Sequence, residues 1–261
     1  MRKKIFIQWF SVAFFLVTSC LNAQSPPPSD VEVADDTDPT KAVFFTAREE
    51  YYNLFDDNYR NALIFRADRT ILNESNMLKP KGIILRGEIP MATTHISGKT
   101  VTGLGDCYLQ GLFFPRLKPG FVIAAGTGFL FPTATDSQIG QGKWQVAPLI
   151  VPVWFFPQAK GFFLTKVQNF FSYAGEESRP DVNYLLITPT FLWRTTRKNW
   201  ILIDEESKIN WELDQRVSNK FGIEFGRLFN AKIGFWVKPE IPFGPNREGD
   251  FNFKFTFILK K

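Results

Sequence analysis

The residues best suited to chemistry are few, and they begin with one histidine. His95 is the only histidine among the 261 residues, and Ser97 follows it two positions later. A serine nucleophile needs a histidine base and a third polar group that orients the base, and no third partner accompanies this pair. We therefore predict that the protein is not an enzyme, with no catalytic residues, and that His95 is an ordinary residue of an outer loop.

Metal and cofactor sites have equally little support in the sequence. A tetrahedral metal site needs four ligands, whereas His95 and Cys107 are the only histidine and the only cysteine of the predicted mature chain. Two Gly-x-Gly pairs, at residues 103–105 and 126–128, lie in predicted strands. No helix follows them that could present N–H groups to a phosphate. We expect no metal and no cofactor.

Charged residues inside predicted strands are more informative. If such a strand crosses a membrane, a cation that faces lipid at the midplane costs about 2–4 kcal/mol, so we predict that these side chains face the lumen of a barrel. There they either line a pore that selects solutes or pair with one another in a plugged, rigid interior. The predicted lumen-lining residues are Arg66, Asp68, Arg86, Glu88, Asp106, Lys166, Arg194, Asp204, Glu224, Lys238 and Glu240.

The elements that would position these charges are alternating strands. With 44% hydrophobic and 16% aromatic residues, 18 Gly and 17 Pro, the composition favours β structure with many turns. In the last predicted strand, Phe251, Phe253, Phe255 and Phe257 alternate with polar residues. No apolar run after residue 24 reaches the ~18 residues of a membrane-spanning helix. The sequence therefore predicts an all-β fold.

Short and long connectors alternate along the chain, as the periplasmic turns and outer loops of an outer-membrane barrel do. Counting back from a last strand that ends in the periplasm gives eleven strands, and an even number requires a twelfth at residues 41–52. We predict a transmembrane antiparallel β-barrel of 12 strands over residues 41–261. The alternative has 10 strands, with residues 41–72 as a periplasmic or plugging segment. The long connectors are predicted near residues 92–101, 133–143, 175–180, 212–218 and 244–250.

The first 23 residues have the pattern of a signal peptide. Three basic residues precede an apolar run at residues 5–19, and cleavage after Ala23 would release the mature chain. The competing interpretation is a lipobox that ends at Cys20, which would then carry a lipid. Residues 24–40, rich in proline and acidic side chains, are predicted to form a flexible periplasmic linker.

The formal net charge of +5 does not indicate a basic partner. Without the three basic residues of the signal peptide, 28 Lys and Arg remain against 26 Asp and Glu. Neither a nucleic-acid surface nor a polybasic membrane patch is left. The expected partners are outer-membrane lipid and a small solute of unknown identity, with no nucleic acid, and the sequence does not set the oligomeric state.

Six short motifs occur in an order that resembles one known family. The chain is similar, over about residues 59–261, to the outer-membrane transporter family named after the meta-pathway of phenol degradation. The resemblance implies an outer-membrane β-barrel in a Gram-negative bacterium, and the family name suggests uptake of aromatic compounds. The motifs are Gly103-Leu104-Gly105-Asp106, Phe131-Pro132-Thr133-Ala134-Thr135-Asp136, Gly140-Gln141-Gly142-Lys143-Trp144, Tyr173-Ala174-Gly175, Arg179-Pro180-Asp181-Val182-Asn183 and Asn210-Trp211-Glu212.

These observations predict a porin-like channel or transporter for small solutes, including hydrophobic or aromatic compounds, in the cell outer membrane. A closed structural or surface-interaction barrel without transport is the alternative, and an outer-membrane enzyme is the least favoured interpretation. The first two differ in whether residues 25–58 plug the lumen.

Overall fold

A computed structural model of the chain describes residues 42–71, 83–114 and 120–260, together with the backbone of residues 116–118. The predicted signal peptide, the linker at residues 24–40 and the lipidation site at Cys20 lie outside the described residues. In the described part, no helix is long and apolar enough to cross a membrane.

Fourteen strands of the described chain form one antiparallel sheet. The first strand pairs with the last, so the sheet closes into a barrel. One short 3-10 helix, Trp211–Leu213, follows the eleventh strand. The strands are β1 (Phe45–Asn53), β2 (Tyr59–Ile71), β3 (Ile83–Ile96), β4 (Lys99–Leu104), β5 (Cys107–Phe113), β6 (Arg116–Lys118), β7 (Phe121–Phe131), β8 (Lys143–Phe156), β9 (Gly161–Gly175), β10 (Asn183–Arg194), β11 (Asn199–Asn210), β12 (Arg216–Leu228), β13 (Ile233–Phe243) and β14 (Phe251–Leu259).

These strands occupy twelve positions in the wall, because β4, β5 and β6 share one of them. β4 pairs with residues 91–96 of β3, β5 pairs with residues 83–88 of β3, and β6 pairs with β7. The predicted twelve-stranded barrel is therefore confirmed. The ten-stranded alternative is wrong, because β1 and β2 pair with each other and with β14 and β3.

The main departure from the predicted elements is the β3–β4 hairpin. The sequence indicated a long loop at residues 92–101, but β3 continues to Ile96 and β4 begins at Lys99. Ser97 and Gly98 between them have φ of 52° and 77°, and a type I′ hairpin turn needs positive φ at both central residues. After Met91, the outward residues of this hairpin are threonines and a histidine rather than apolar side chains. The hairpin therefore lacks the alternation of apolar and polar residues that predicts a strand.

The wall has an apolar outer face and a mixed inner face. In β14, Phe251, Phe253, Phe255 and Phe257 are 36–40% exposed, while the residues between them include the buried Asn252, Thr256 and Ile258. Exposed large hydrophobic side chains also occur on β2, β3, β5 and β7 to β13. Water-soluble proteins rarely expose so continuous an apolar surface, whereas outer-membrane barrels present such a belt to lipid. The outer membrane is therefore the location of this barrel, as predicted.

A buried apolar cluster fills one end of the barrel interior, and we call it the apolar floor. Nearly all of its members lie in the half of their strand next to the short turns at residues 157–160, 195–198 and 229–232. Each is at most 8% exposed, so this end of the interior is dry. The floor consists of Val43, Ile84, Leu112, Val122, Ala124, Leu149, Val151, Val153, Phe162, Leu164, Leu192, Trp200, Leu202, Leu228, Trp236 and Ile258, with Ala42, Phe114 and Phe155 packed against it.

The topology predicts which connectors a reagent outside the cell can reach. Glu177 is exposed in the connector at residues 176–182, and Lys198 is exposed in a turn at the opposite end. In a Cys107→Ser background, Glu177→Cys should react with an impermeant maleimide in intact cells. Lys198→Cys should react only after the outer membrane is permeabilised, and the opposite pattern would show that the barrel is inserted the other way up.

Candidate functional site: the barrel interior

Asp68 is the centre of one group of interior charges, on β2 and β3. Its Oδ2 accepts a hydrogen bond from Arg66 Nη2 at 2.7 Å, and its Oδ1 accepts one from Arg86 Nε at 3.1 Å. The N–H of Val43, just before β1, donates to the same carboxylate at 3.4 Å. The Asp68 side chain is fully buried, and charge-assisted hydrogen bonds from two guanidinium groups stabilise its negative charge there. This group ties β2, β3 and the residues before β1 together.

A second group of interior charges lies on β11 to β14, and we call it the lysine group. Its central carboxylate, Glu240, is 1% exposed and lies within 4 Å of three ammonium groups, at 3.0, 3.2 and 3.9 Å. Charge-assisted contacts of this kind offset the cost of burial only when each partner is satisfied. The pairs are Lys254–Glu240, Lys238–Glu240, Lys220–Glu240, Lys238–Asp204 and Lys220–Glu206.

Water reaches the charged part of the interior but not the apolar floor. The side chains of Lys220 and Glu206 keep 21% and 24% of their surface exposed, and Arg48 and Glu88 keep 19% and 18%. In contrast, Phe162 in the floor has none. The interior is thus divided into a hydrated upper part, which we call the vestibule, and the dry floor beneath it.

Trp200 connects the floor to a buried carboxylate. Its Nε1 donates a hydrogen bond to Glu224 Oε1 at 2.7 Å, and both residues are at most 2% exposed. Gly226, on the facing strand β12, leaves room for the ring, since a Cβ there would overlap the indole. The ring therefore lies flat against the wall rather than across the barrel.

Neutral polar side chains on β5, β8 and β9 line another part of the vestibule. Tyr108 Oη accepts hydrogen bonds from Gln110 Nε2 at 2.7 Å and from Gln168 Nε2 at 2.9 Å. Gln145 on β8 donates to Gln141. The vestibule therefore has one side with most of its ion pairs and another with neutral hydrogen-bonding groups, and a solute in it would meet both.

The structure brings most of the eleven predicted lumen residues into these groups. Arg66, Asp68 and Arg86 form the first group, and Asp204, Lys238 and Glu240 belong to the lysine group. Glu88 lies 3.8 Å from Arg48, and Glu224 binds Trp200. That they line an open pore stays a prediction.

Three predicted residues stand outside these groups. Lys166 is half-buried on β9, and Arg194 is half-buried at the end of β10, where its Nε is buried without a hydrogen bond to the described residues. Asp106 was predicted to lie within a strand, and this is wrong. It lies in the break between β4 and β5, where its carboxylate binds a connector.

Sequence reasoning missed several interior residues that the same signal could have found. Glu206 lies two residues from the predicted Asp204 on β11, and Lys220 lies four residues from the predicted Glu224 on β12. Lys254 alternates with the phenylalanines of β14. Strict alternation therefore places all three side chains inside. Polar residues without a charge gave no comparable signal. The missed residues are Arg48, Glu50, Tyr52, Tyr108, Gln110, Gln168, Trp200, Glu206, Lys220 and Lys254.

His95 and Ser97 each contact other residues near the β3–β4 turn. His95 Nδ1 shares a hydrogen bond of 2.8 Å with Thr100 Oγ1, and its ring stacks on Tyr59 with 5.4 Å between the centroids. Ser97 uses its N–H to bind Asn58 Oδ1 at 2.8 Å. Among the described residues, no hydrogen bond joins the histidine to the serine.

Asp106 and Arg179 hold the connector at residues 132–142, which we call the clamped loop. Asp106 accepts hydrogen bonds from the N–H groups of Ala134 and Gln141 at 3.2 and 2.7 Å. Arg179, from the next outer connector, donates to Ser137 O at 2.6 Å, to Gln141 O at 3.3 Å and to the carbonyl oxygen of residue 140. Charged groups hold the loop from both sides.

The clamped loop packs on the inner face of the β3–β4 hairpin. Thr94 Oγ1, on that inner face, donates to Gln138 O at 3.4 Å, and Thr94 is 1% exposed. A Cβ at Gly103 would meet Thr135 and Ile139 of the loop. The loop therefore folds over part of the vestibule.

Two clefts open at the loop end of the barrel, with volumes of about 580 and 360 Å³. In the first, a hydrogen bond and the positive charge of Lys143, 2.9 Å away, lower the pKa of Asp181. In the second, burial alone would raise the pKa of Glu248, but Lys208 at 2.9 Å lowers it overall. Both ion pairs are therefore present at neutral pH, and they weaken as the pH falls through the lowered pKa of each carboxyl.

Comparison with solved structures places this fold among outer-membrane barrels. The COG4313 outer membrane channel from Pseudomonas putida F1 matches with a TM-score of 0.69 and 11% identity, over 90% of this chain and 99% of that one. The KdgM porin in complex with disordered oligogalacturonate matches at 0.57 and 9%, over 83% and 98%. The NanC porin matches at 0.56 and 7%, over 83% and 100%.

No family model matches the chain, and comparison with curated proteins finds no match. At these identities, the structural likeness establishes the fold alone. The chain has the fold of outer-membrane channels and porins, and its likeness to the family named after phenol degradation stays a prediction.

The contacts of the clamped loop predict how it responds to mutation. Asp106→Ala removes the acceptor of two backbone N–H groups, and hydrogen bonds to a charged group are among the stronger ones in proteins. Proteinase K should then cut within residues 132–142 about tenfold faster or more, as mapped by mass spectrometry. Glu177→Ala, an exposed carboxylate in the neighbouring connector, is the matched control, and equal cleavage of both variants would contradict the role of Asp106.

Proposed function

We propose that the protein is an outer-membrane channel for small solutes, closed in this conformation by the apolar floor. The observation that carries the proposal is the division of the interior. The charged side chains of Lys220 and Glu206 in the vestibule keep 21% and 24% of their surface exposed, whereas Phe162 and Leu192 in the floor keep none. A purely structural barrel would have no need of a hydrated, charged vestibule.

The apolar floor is a constriction of the kind that excludes water and ions by dewetting. Phe162 and Leu192 are register partners on β9 and β10, and both are fully buried. Opening requires the side chains of the floor to move out of the middle of the lumen, and no backbone hydrogen bond of the wall has to break for this. The floor is thus the gate of the proposed channel.

We further propose that the transported solutes include hydrophobic or aromatic compounds. The path through the floor passes Phe162, Trp200 and Trp236, which are at most 5% exposed. An apolar body meets a lower barrier there than a hydrated ion does, because transfer of a polar group into an apolar environment is costly. The names of the similar structures, which include porins and a channel, support passage but do not identify the solute.

The closed barrel without transport is the second candidate. The ion pairs around Asp68 and Glu240 favour it, because compensated charges also make a rigid interior. The closed barrel and the proposed channel differ in one observable property, because only the channel conducts ions across a bilayer.

The gate predicts the effect of making the floor polar. In planar bilayers, the wild-type protein should conduct rarely, while the double variant Phe162→Ser and Leu192→Ser should increase the open time about tenfold or more, because a wetted constriction no longer excludes ions. The matched control, Phe162→Leu with Leu192→Met, keeps the floor apolar and should behave as the wild type does. Silence of the serine variant, with the heat-modifiable gel mobility of a folded barrel intact, would favour the closed structural barrel.

A further inference from the structure

Lys166 is an interior cation that takes part in no ion pair of the described residues. It lies on β9 opposite Thr188, whose side chain is buried, so Lys166 points into the barrel. Its charged neighbours are Glu206 and the three lysines of the lysine group. Among the described residues, no carboxylate comes within ion-pair distance of its ammonium group, and no hydrogen bond holds it.

The charge balance around Lys166 explains why it has no partner. The lysine group contains three ammonium groups, and three carboxylates, Asp204, Glu206 and Glu240, pair with them. Lys166 adds a fourth ammonium group, while Glu50, a further carboxylate near Lys254 and Lys220, is already paired with Arg48 at 2.8 Å. No ion pair of the described residues therefore includes Lys166. An uncompensated charge inside a protein is costly, and an anion from solution would remove that cost.

The surroundings of Lys166 on its own strand are apolar below and aromatic above. The inward residues of β9 below it are Phe162 and Leu164, both members of the floor. Above it lie Gln168 and Phe170, and the Phe170 ring stacks on Tyr184 with 4.8 Å between the centroids. The ammonium group is therefore placed at the boundary between the vestibule and the gate, where a solute has to pass.

We propose that Lys166 binds the carboxylate of a solute that carries one negative charge on an apolar body. The ammonium group compensates the single charge and donates hydrogen bonds to the carboxylate oxygens. The apolar body contacts either the floor below or the Phe170–Tyr184 pair above. This inference rests on the proposed channel, and it narrows the solute class to monocarboxylates with an aromatic or aliphatic body.

Calorimetric titration of the full-length barrel in detergent tests the site, with benzoate as the probe and benzamide as its uncharged analogue. The wild type should bind benzoate at least about tenfold more tightly than benzamide, the difference expected for a hydrogen bond to a charged group. Lys166→Met should remove this preference. Lys232→Met, at an exposed lysine in a short turn, changes the net charge equally and should keep it.

A second measurement separates a binding role from a structural one. Lys166 takes part in no ion pair of the described residues, so Lys166→Met should not lower the temperature at which the barrel loses its folded gel mobility. The loss of a structural ion pair would lower that temperature. Equal binding of benzoate and benzamide, unchanged preference in Lys166→Met, or displacement of benzoate by an equal concentration of chloride would each overturn the site.

The channel and the site can fail separately. If the serine variant of the floor conducts but benzoate shows no preference for the wild type, the site is wrong and the channel stands. If benzoate binds through Lys166 and every variant is silent in bilayers, the site stands and the channel is wrong.

Discussion

The closed ladder of backbone hydrogen bonds is the constraint on which the rest of the structure depends. Lipid offers no partner for a free N–H or C=O group, so a sheet in a membrane can have no edge. Pairing of β1 with β14 removes the last edge. Closure also gives the sheet an inside and an outside, and because side chains alternate, each strand must place one set of residues in lipid and the other in the lumen. The phenylalanines of β14 and the charges of β11 to β13 follow from the same rule.

Charge pairing and apolar packing share the interior that closure creates. Asp68 and Glu240 are buried carboxylates, each surrounded by cations from neighbouring strands. These contacts fix the shape of the charged side, while the apolar floor needs no specific pairs. Apart from Trp200, which binds the buried Glu224, the side chains of the floor can move without leaving a buried charge without its partner, which makes the floor a better place for motion than the charged groups.

The motifs that carry the family resemblance meet at the clamped loop. Gly103 and Asp106 come from the first motif, the loop itself contains parts of the next two, and Arg179 begins another. They lie in different strands and connectors, yet they supply both the loop and the groups that hold it. The contacts of Asp106 and Arg179 from these motifs fix the position of one loop over the vestibule.

The sequence by itself predicted the twelve positions in the wall, with ten as the alternative, and the inner and outer faces of most strands, but it missed the β3–β4 hairpin. Period-two alternation is a local property, and the cost of a charge in lipid decides which face is inside, so alternation alone assigns residues such as Arg86 and Lys238 to the interior. Only the tertiary structure decided what each interior residue contacts, because partners such as Lys220 and Glu240 are on different strands and their register depends on closure. Asp106 shows the same limit, because its hydrogen-bond partners Ala134 and Gln141 lie 28 and 35 residues further along the chain. The apolar floor forms only when the strands close around a common interior, because packing involves side chains from many strands. For the same reason, only the closed barrel shows that no ion pair of the described residues includes Lys166.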